Sequence, residues 1–305
     1  MFKKDFNSIL ELLDMFPDEQ SCIDYLEEVR WGDKVVSPFD PNSKVYKRKN
    51  NRYKCKNTGK YFNVRTNTIY DNTKVSLRKW FVAIYLVTGH KKGISSCQLA
   101  RDIKVTQKTA WFLLSRIREC FDIEPENTKL EGVVEIDETF VGGKNKNRHW
   151  DKKVPQSQGR SFKDKTPVFG MLQRGGKIIA KVVADTKVKS LRPHIDKYIV
   201  RGSTICTDEW NYGNLDEHYT HQRVFHAAKV YAIGDNHTNT IEGFWSLLKR
   251  GIIGIHHLTS RKHLQRYVNE FTFRYNTRKI SEKERFDLLL QNTERRLKYA
   301  DLIHK

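Results

Sequence analysis

Three acidic residues occur in predicted strands or at a predicted helix start, where a buried carboxylate would need a cation or a hydrogen-bond donor to balance its charge. Asp137 lies inside the apolar run 133–141, Asp208 ends a later β-branched run, and Glu242 lies in the first turn of a predicted helix. Burying a carboxylate without a partner is costly. Oxygen ligands from two strand ends and a later helix are a common way to hold a hard divalent cation. The three acids therefore form a candidate metal centre.

Such a centre would suit phosphodiester chemistry. Two Mg²⁺ ions about 4 Å apart, bridged by Asp137, would activate the attacking oxygen and stabilise the leaving oxygen. Lys249 follows Glu242 by seven residues on the same helical face, where its ammonium group would position a DNA phosphate. Asn239, three residues before Glu242, either orients a carboxylate or a phosphate or caps the helix.

Neighbouring acids leave the identity of the ligands open. Glu135 and Glu138 flank Asp137 and could replace it as the ligand from that strand. Glu209 is adjacent to Asp208 and could likewise replace it as the ligand. The helix acid, taken alone, would be an ordinary first-turn residue that the helix dipole stabilises.

The composition points to a polyanionic partner. Lys and Arg total 56 against 36 Asp and Glu, which gives a formal net charge of +20. Nucleic acid is the first candidate and a membrane surface the weaker one.

The longest apolar run, 81–87, is too short to cross a bilayer, and no signal peptide is visible. Five scattered cysteines without a Cys-x-x-Cys pair favour a reducing compartment. We expect a cytoplasmic, nucleoid-associated protein.

The elements that would position these residues fall into five predicted regions. They are N-terminal helices in residues 1–30, a turn-rich module in 31–72, a helix-turn-helix in 73–122, a catalytic domain in 131–280 and a charged helical tail in 281–305. Residues 123–130 are polar, contain a proline and are typical of a domain boundary.

The turn-rich module interleaves bases with aromatic residues, as in residues 46–49 and 52–54. This alternation is typical of a small β-module that rests on phosphates, with rings available for stacking. An ordinary solvated hairpin accounts for it equally well, so both interpretations stay open.

Residues 95–102 and 106–117 predict two helices joined by a tight turn, and Thr106 can cap the second helix. In a helix-turn-helix, the residues that open the second helix contact base edges in the major groove. Here these residues are Gln107, Lys108 and Thr109. A plain helical bundle is the alternative.

The catalytic region predicts an α/β fold. A strand, its hairpin partners, a crossover helix and a further strand follow one another, which would place the Asp137 and Asp208 strands side by side. Residues 144–165, with eight bases and two acids, predict a basic loop that either lies along DNA or is merely a solvated insert.

The acidic motifs resemble those of IS1595-type (ISXO2-like) bacterial insertion-sequence DDE transposases. The matching segments are 134–143 (VEIDETFVGG), 206–209 (CTDE) and 237–251 (HTNTIEGFWSLLKRG), within a resemblance that runs from about residue 18 to 278. It implies an RNase H-like core whose catalytic and metal-binding triad is Asp137, Asp208 and Glu242. Lys249 would be the downstream basic catalytic residue, and Asn239, Lys249 and Arg250 would contact DNA.

The function implied by the resemblance is transposition. Two Mg²⁺ ions, with Mn²⁺ able to substitute, would support cleavage at terminal inverted repeats and attack of the freed 3′-OH on target DNA. A homodimer or larger assembly on double-stranded DNA is expected because two ends must be joined. The alternatives are an RNase H-like nuclease without strand transfer, and an inactive or domesticated DNA-binding relative.

One departure from the family concerns zinc. Family members usually carry a zinc ribbon with two Cys-x-x-Cys pairs, and the aligned positions here are Ser37, Asp40, Cys55 and Thr58. A single thiolate cannot complete a closed tetrahedral site. We therefore predict a degenerate ribbon-like module that binds no zinc and is held together by its aromatic residues.

Overall fold

The computed structural model describes residues 5–123, 129–142, 145, 148–155, 161, 163–208, 212–223 and 237–303. The chain forms two compact units. The first unit combines Met1–Ile123 with Lys279–Lys305, and the second unit is Glu124–Arg278. The predicted boundary at 123–130 and the predicted basic loop at 144–165 lie partly outside the described residues. Among those that are described, no helix is both long and apolar enough to cross a membrane.

The elements divide between the units as follows. The first unit begins with α1 (Ile9–Met15), α2 (Glu19–Trp31), β1 (Val45–Arg48), β2 (Arg52–Cys55), β3 (Tyr61–Phe62), α3 (Leu77–Gly89), α4 (Ser96–Asp102) and α5 (Gln107–Glu119). The second unit contains β4 (Val133–Gly142), β5 (Lys165–Gln173), β6 (Ile178–Val182), α6 (Val188–Tyr198), β7 (Thr204–Thr207), β8 (Thr220–Arg223), α7 (Asn239–Gly251) and α8 (Leu264–Asn276). The chain then returns to the first unit with α9 (Glu282–Leu290) and α10 (Tyr299–Ile303).

The core of the first unit is built from both ends of the chain. The ring of Phe286 on α9 lies 5.4 Å from that of Phe81 on α3 and 5.4 Å from that of Phe6, measured between centroids. Phe286 is fully buried. The segment predicted as a charged tail at 281–305 therefore completes the core of the first unit, because Phe286, Leu289 and Leu290 of α9 are buried.

Helix starts in the first unit are set by side-chain caps. Asp18 and Ser21 form a capping box at the start of α2, and Ser76 accepts a hydrogen bond from the Lys79 amide at the start of α3. Thr106 accepts from the Thr109 amide at the predicted start of α5. Each cap satisfies backbone N–H groups that have no partner within the helix.

The small sheet of the first unit is antiparallel with the order β1-β2-β3. One of its faces packs against aromatic residues: Trp31 lies 5.3 Å from Tyr53 and 6.0 Å from Phe62 between ring centroids. Cys55 is buried in the same cluster.

Side-chain hydrogen bonds hold the loops that carry the positions aligned with zinc ligands. Asp40 Oδ2 accepts from Asn57 Nδ2 at 2.7 Å, and Asp40 Oδ1 accepts from the Asn42 amide at 3.0 Å. The Ser37 hydroxyl accepts from the Phe39 amide. Polar side chains thus connect the two loops directly.

The second unit is a mixed five-stranded sheet with the order β6-β5-β4-β7-β8. β5 is antiparallel to both β4 and β6, whereas β4, β7 and β8 are mutually parallel. As predicted, the strands that carry Asp137 and lead to Asp208 lie side by side. The core on one face includes Leu191 and Ile195 of α6, and the core on the other face includes residues of α7 and α8. The unit is therefore a three-layer α/β fold.

Candidate active site

A cavity of about 400 Å³ is lined by residues of the central strand β4 and of helix α7. Its lining contains all three predicted triad acids and the predicted catalytic lysine. The residues that line it are Asp137, Glu138, Thr139, Asp208, Thr238, Glu242, Trp245, Ser246 and Lys249. We call it the acidic cavity.

The two strand acids meet because of the sheet register. β4 and β7 run parallel, and Ile136 pairs with Thr207. Asp137 and Asp208 directly follow this pair, so they lie at the same level, where the pairing between β4 and β7 ends. Carboxyl ends of parallel strands are a recurrent position for ligand-binding residues in α/β sheets.

Helix α7 brings the third acid and the lysine to the same cavity. Glu242 lies in its first turn and accepts a hydrogen bond from the Thr238 hydroxyl at 3.2 Å. Trp245 follows one turn later, and its indole Nε1 donates to Asp137 Oδ2 at 3.0 Å. Lys249 follows after a further turn. Because residues three and four apart share one helical face, one stripe of α7 supplies all three groups.

Gly170 provides the space for this indole. It pairs with Asp137 across β4 and β5, and a Cβ atom at this position would lie 2.5 Å from Trp245 Cζ2. A contact of that length is impossible without a shift of the ring. The hydrogen bond from Trp245 to Asp137 therefore depends on a glycine in the neighbouring strand.

The acids repel one another inside the cavity. Burial and the neighbouring carboxylate of Asp208 raise the pKa of Asp137 to about 7, and Glu242 adds to the increase. Hydrogen bonds from the Glu138 amide and from Trp245 act in the opposite direction. Partial desolvation lowers the pKa of Lys249, although Asp137 favours its charged form. A cation among the acids would relieve this repulsion.

The donor chemistry fits a hard divalent ion, since carboxylate oxygens are the ligands that Mg²⁺ prefers. As they stand, however, the described residues include no group of three His, Cys, Asp or Glu side chains placed to hold one ion. The acids share one cavity but are not drawn together into a ligand set.

Glu135 has a different role from its neighbours. It is completely buried, and it accepts hydrogen bonds from the Arg174 guanidinium at 2.7 Å, the Thr240 hydroxyl at 2.9 Å and the Ile241 amide at 2.9 Å. Arg174 also donates to the His237 carbonyl at 2.7 Å. These bonds tie the start of α7 to β4, two residues before Asp137. Glu135 is thus a structural anchor, whereas Glu138 lines the cavity and stays an alternative ligand.

Sequence reasoning missed this anchor and the Gly170 contact. The signal for the anchor was weak: a second acid at spacing two in a buried strand, on the same face as Asp137. Nothing local in the sequence pairs Glu135 with Arg174, which is 39 residues away.

Two other predicted site residues on α7 do not line the cavity. Asn239 is exposed at the first position of the helix, and Thr238, rather than Asn239, occupies the cap position. Arg250 is exposed and donates to the Ser246 carbonyl of its own helix at 3.1 Å. Glu209, the alternative to Asp208, lies outside the described residues.

The predicted recognition residues belong to the first unit. Gln107 donates to the Ser96 hydroxyl on α4 at 2.8 Å, and Thr109 bonds to the Thr106 hydroxyl at 2.8 Å. The Lys108 ammonium lies 5.2 Å from the ring centroid of Tyr299. Gln107 and Lys108 are nevertheless exposed.

Comparisons with known proteins bear on residues in both units. Residues 129–276 match the family described as ISXO2-like transposase domain. An uncharacterized protein in the transposable element ISH50 of Halobacterium salinarum is 30% identical over 293 residues, which cover 90% of this chain and 97% of that relative.

Two solved structures of Mos1 are also similar, each at 12% identity. The strand transfer complex has a TM-score of 0.29 and covers 70% of this chain and 75% of its own. The pre-cleavage transpososome has a TM-score of 0.26 and covers 95% of this chain and 97% of its own. The match to ISH50 extends over nearly the whole chain, and the chain belongs to the ISXO2-like transposase family.

Proposed function

We propose that this transposase cleaves DNA at the terminal inverted repeats of its element and joins the freed 3′ ends to target DNA by a DDE mechanism. The observation that carries the proposal is the acidic cavity, which Asp137, Asp208, Glu242 and Lys249 line together. Since two ends must be joined, we expect a homodimer or a larger assembly on DNA.

The sheet topology supports an RNase H-like core. Counted along the second unit, the strand order is third, second, first, fourth and fifth, and the second strand is antiparallel to its neighbours. Helices cover both faces, and the candidate triad comes from the first strand, the end of the fourth strand and a later helix. This is the order that the family resemblance implies.

Asp137, Asp208 and Glu242 would hold two Mg²⁺ ions, or Mn²⁺ in their place. When bound, such ions supply Lewis acidity to the attacking and leaving oxygens of a phosphodiester. Lys249 would hold a phosphate of the substrate as a point charge. The Trp245 indole holds Oδ2 of Asp137 and the Glu138 amide holds Oδ1 at 2.8 Å, so the carboxylate is fixed, and each oxygen keeps a further lone pair for a cation. Water and then a DNA hydroxyl would be the nucleophiles, so no covalent link between protein and DNA is required.

The first unit would bind the repeats. Helices α4 and α5 are joined by a turn in which Lys104 has a φ of 49°, and α5 opens with the exposed side chains of Gln107 and Lys108. We propose that these two residues and Thr109 contact DNA as in a helix-turn-helix. Asn239, Lys249 and Arg250 are the DNA contacts we propose on α7. The charge of +20 favours such binding.

The test is cleavage and joining of DNA that carries the repeats flanking the gene. Wild type should nick the repeat ends and form joined product with Mg²⁺, and Asp208→Asn should do neither. The control is Asp216→Asn, which removes an exposed acid outside the cavity and should retain activity.

Other results would contradict the proposal. Cleavage without joining would indicate a nuclease. Specific binding with no cleavage by the wild type would indicate an inactive or domesticated relative. Equal activity of wild type and Asp208→Asn would exclude this acid from the site.

A further inference from the structure

The three-stranded sheet of the first unit has two unlike faces. Side chains alternate across a strand, so the residues between the packed positions Tyr53, Cys55 and Phe62 point the other way. On β1, β2 and β3 these alternate residues, which we call the basic face, are Tyr46, Arg48, Arg52, Lys54 and Tyr61. All of them are exposed except Lys54, which is partly exposed.

Aromatic rings order the lysines of this face. The register places Lys54 between Tyr46 and Tyr61 on the neighbouring strands. The Lys54 ammonium lies 5.7 Å from the ring centroid of Tyr61, and the Lys44 ammonium lies 5.7 Å from that of Tyr46. Cation–π attraction of this kind holds an ammonium group in place. The rings therefore present fixed charges to solvent.

Two arginines face each other at the end of the hairpin. Arg48 pairs directly with Arg52, and like charges in that relation destabilise a sheet. The hairpin closes through Asn50 and Asn51 in left-handed conformations, with φ values of 59° and 53°. Asn accepts this conformation better than most residues. A tight turn therefore keeps the arginines together despite their repulsion, which a polyanion would relieve.

The segment that carries the basic face is strongly positive. Residues 44–60 contain eight bases and no acid. Within the described parts of the chain, none of these bases forms an ion pair with a carboxylate.

We propose that the basic face binds the sugar–phosphate backbone of duplex DNA. Its cations are ordered and uncompensated, and its two rings are already engaged by lysines, which favours contact with phosphates over stacking on bases. Such contacts position a protein on DNA without reading its sequence. The inference rests on the proposed function in taking DNA as the ligand, and it places a second binding surface outside the helix pair α4 and α5.

The test measures the salt dependence of binding. Full-length protein carrying Asp208→Asn is titrated with a fluorescent duplex of random sequence, without Mg²⁺, over about 50–200 mM salt. Adding Arg52→Gln and Lys54→Gln should weaken binding and reduce the slope of log Kd against log salt by about 1.8, or about 0.9 for each lost phosphate contact. Removing one of two opposed arginines relieves repulsion, and thermal unfolding of the double variant, expected at or above the melting temperature of the parent, separates a lost contact from unfolding.

The matched control is Lys91→Gln with Lys92→Gln, which removes the same charge from an exposed segment of the first unit. It should leave the slope nearly unchanged. If both double variants reduce the slope equally, net charge rather than this face explains binding, and the proposal is wrong. If neither double variant alters the slope, the basic face does not contact phosphates, and the proposal is also wrong.

The ring contacts give a second readout. Tyr61→Leu should raise Kd about two- to fivefold without changing the slope, since it releases Lys54 but keeps its charge. Tyr61→Phe should bind like the parent protein. Tighter binding of a single-stranded oligonucleotide than of the duplex, lost in Tyr61→Leu, would indicate base stacking and would overturn backbone binding.

The two proposals can fail separately. Repeat cleavage by wild type together with an unchanged slope in the Arg52→Gln, Lys54→Gln variant would reject the basic face alone. A reduced slope together with inactive wild type would reject the catalytic proposal alone.

Discussion

The acidic cavity and the basic face both gather like charges, but they hold them differently. Asp137 accepts a hydrogen bond from the Trp245 indole. In the same strand, the buried Glu135 accepts a hydrogen bond from the first turn of α7 and so fixes the start of that helix. The cations of the basic face are held by rings at the surface and by the register of a hairpin. Bond making requires fixed geometry and low solvation, whereas backbone binding requires charge within reach of solvent. The difference between the two regions follows from what each would bind.

The largest expected effect concerns the acids themselves. Asp208→Asn should reduce cleavage to background because it removes one of the proposed metal ligands. Without divalent ions it should also raise the melting temperature by about 2–4 °C, if relief of repulsion contributes about 1 kcal/mol. Mg²⁺ at 100 times its Kd should stabilise wild type by about 2.7 kcal/mol and the variant much less. Thermal unfolding with and without Mg²⁺ measures both effects. A variant that melts below wild type in EDTA would show that the cavity is not strained by like charges.

The anchor of α7 gives the next largest effect. Arg174→Leu would leave Glu135 charged and buried, which should destabilise the second unit by about 3–5 kcal/mol. Hydrogen exchange of the β4 and β5 amides reports this loss. The control is Arg192→Leu: both arginine side chains are 21% exposed, but Asp196, the partner of Arg192, is 45% exposed and Glu135 is 0% exposed. We expect about 0–1 kcal/mol for the control, and equal effects would contradict the role of the anchor.

Substitution of two glycines near the acidic cavity tests how tightly its geometry is fixed. Gly170→Ala should cost about 1–3 kcal/mol and reduce cleavage, because its methyl group displaces the ring of Trp245. Gly243→Ala meets no atom within 4 Å on α7 and should stabilise the helix by about 0.5–1 kcal/mol. Chemical denaturation and the repeat-cleavage assay test the pair. Normal cleavage by Gly170→Ala would show that Asp137 does not need the indole hydrogen bond.

The smallest effect belongs to the basic face. Arg52→Gln should stabilise the first unit by about 0.2–1 kcal/mol, since it removes a like-charge pair across β1 and β2. The gain should shrink as salt rises, because exposed charges are screened. Thermal unfolding at low and high salt measures it. A gain independent of salt would mean that the arginines do not repel each other.

Local patterns predicted the parts of the fold that local chemistry determines. The cap at Thr106 and the start of α5 follow from residue types within four positions. The pairing of the Asp137 strand with the Asp208 strand follows from the order of elements in an α/β fold. Gly170 and the Glu135 anchor depend on contacts between distant segments, which no single stretch of sequence encodes. The place of α9 in the first unit was missed for the same reason, since Phe286 meets partners about 200 or more residues earlier.

The position of α9 also has a consequence for synthesis. Domains generally fold as units while the chain leaves the ribosome, and the second unit is one continuous segment. The first unit cannot bury Phe6 and Phe81 fully until Phe286 has been made. A translation product that stops before α9 would therefore contain the acidic cavity but an incomplete first unit. If the proposed functions hold, a frameshift near the 3′ end of the reading frame would leave the cleavage site intact and disrupt the unit proposed to bind the repeats.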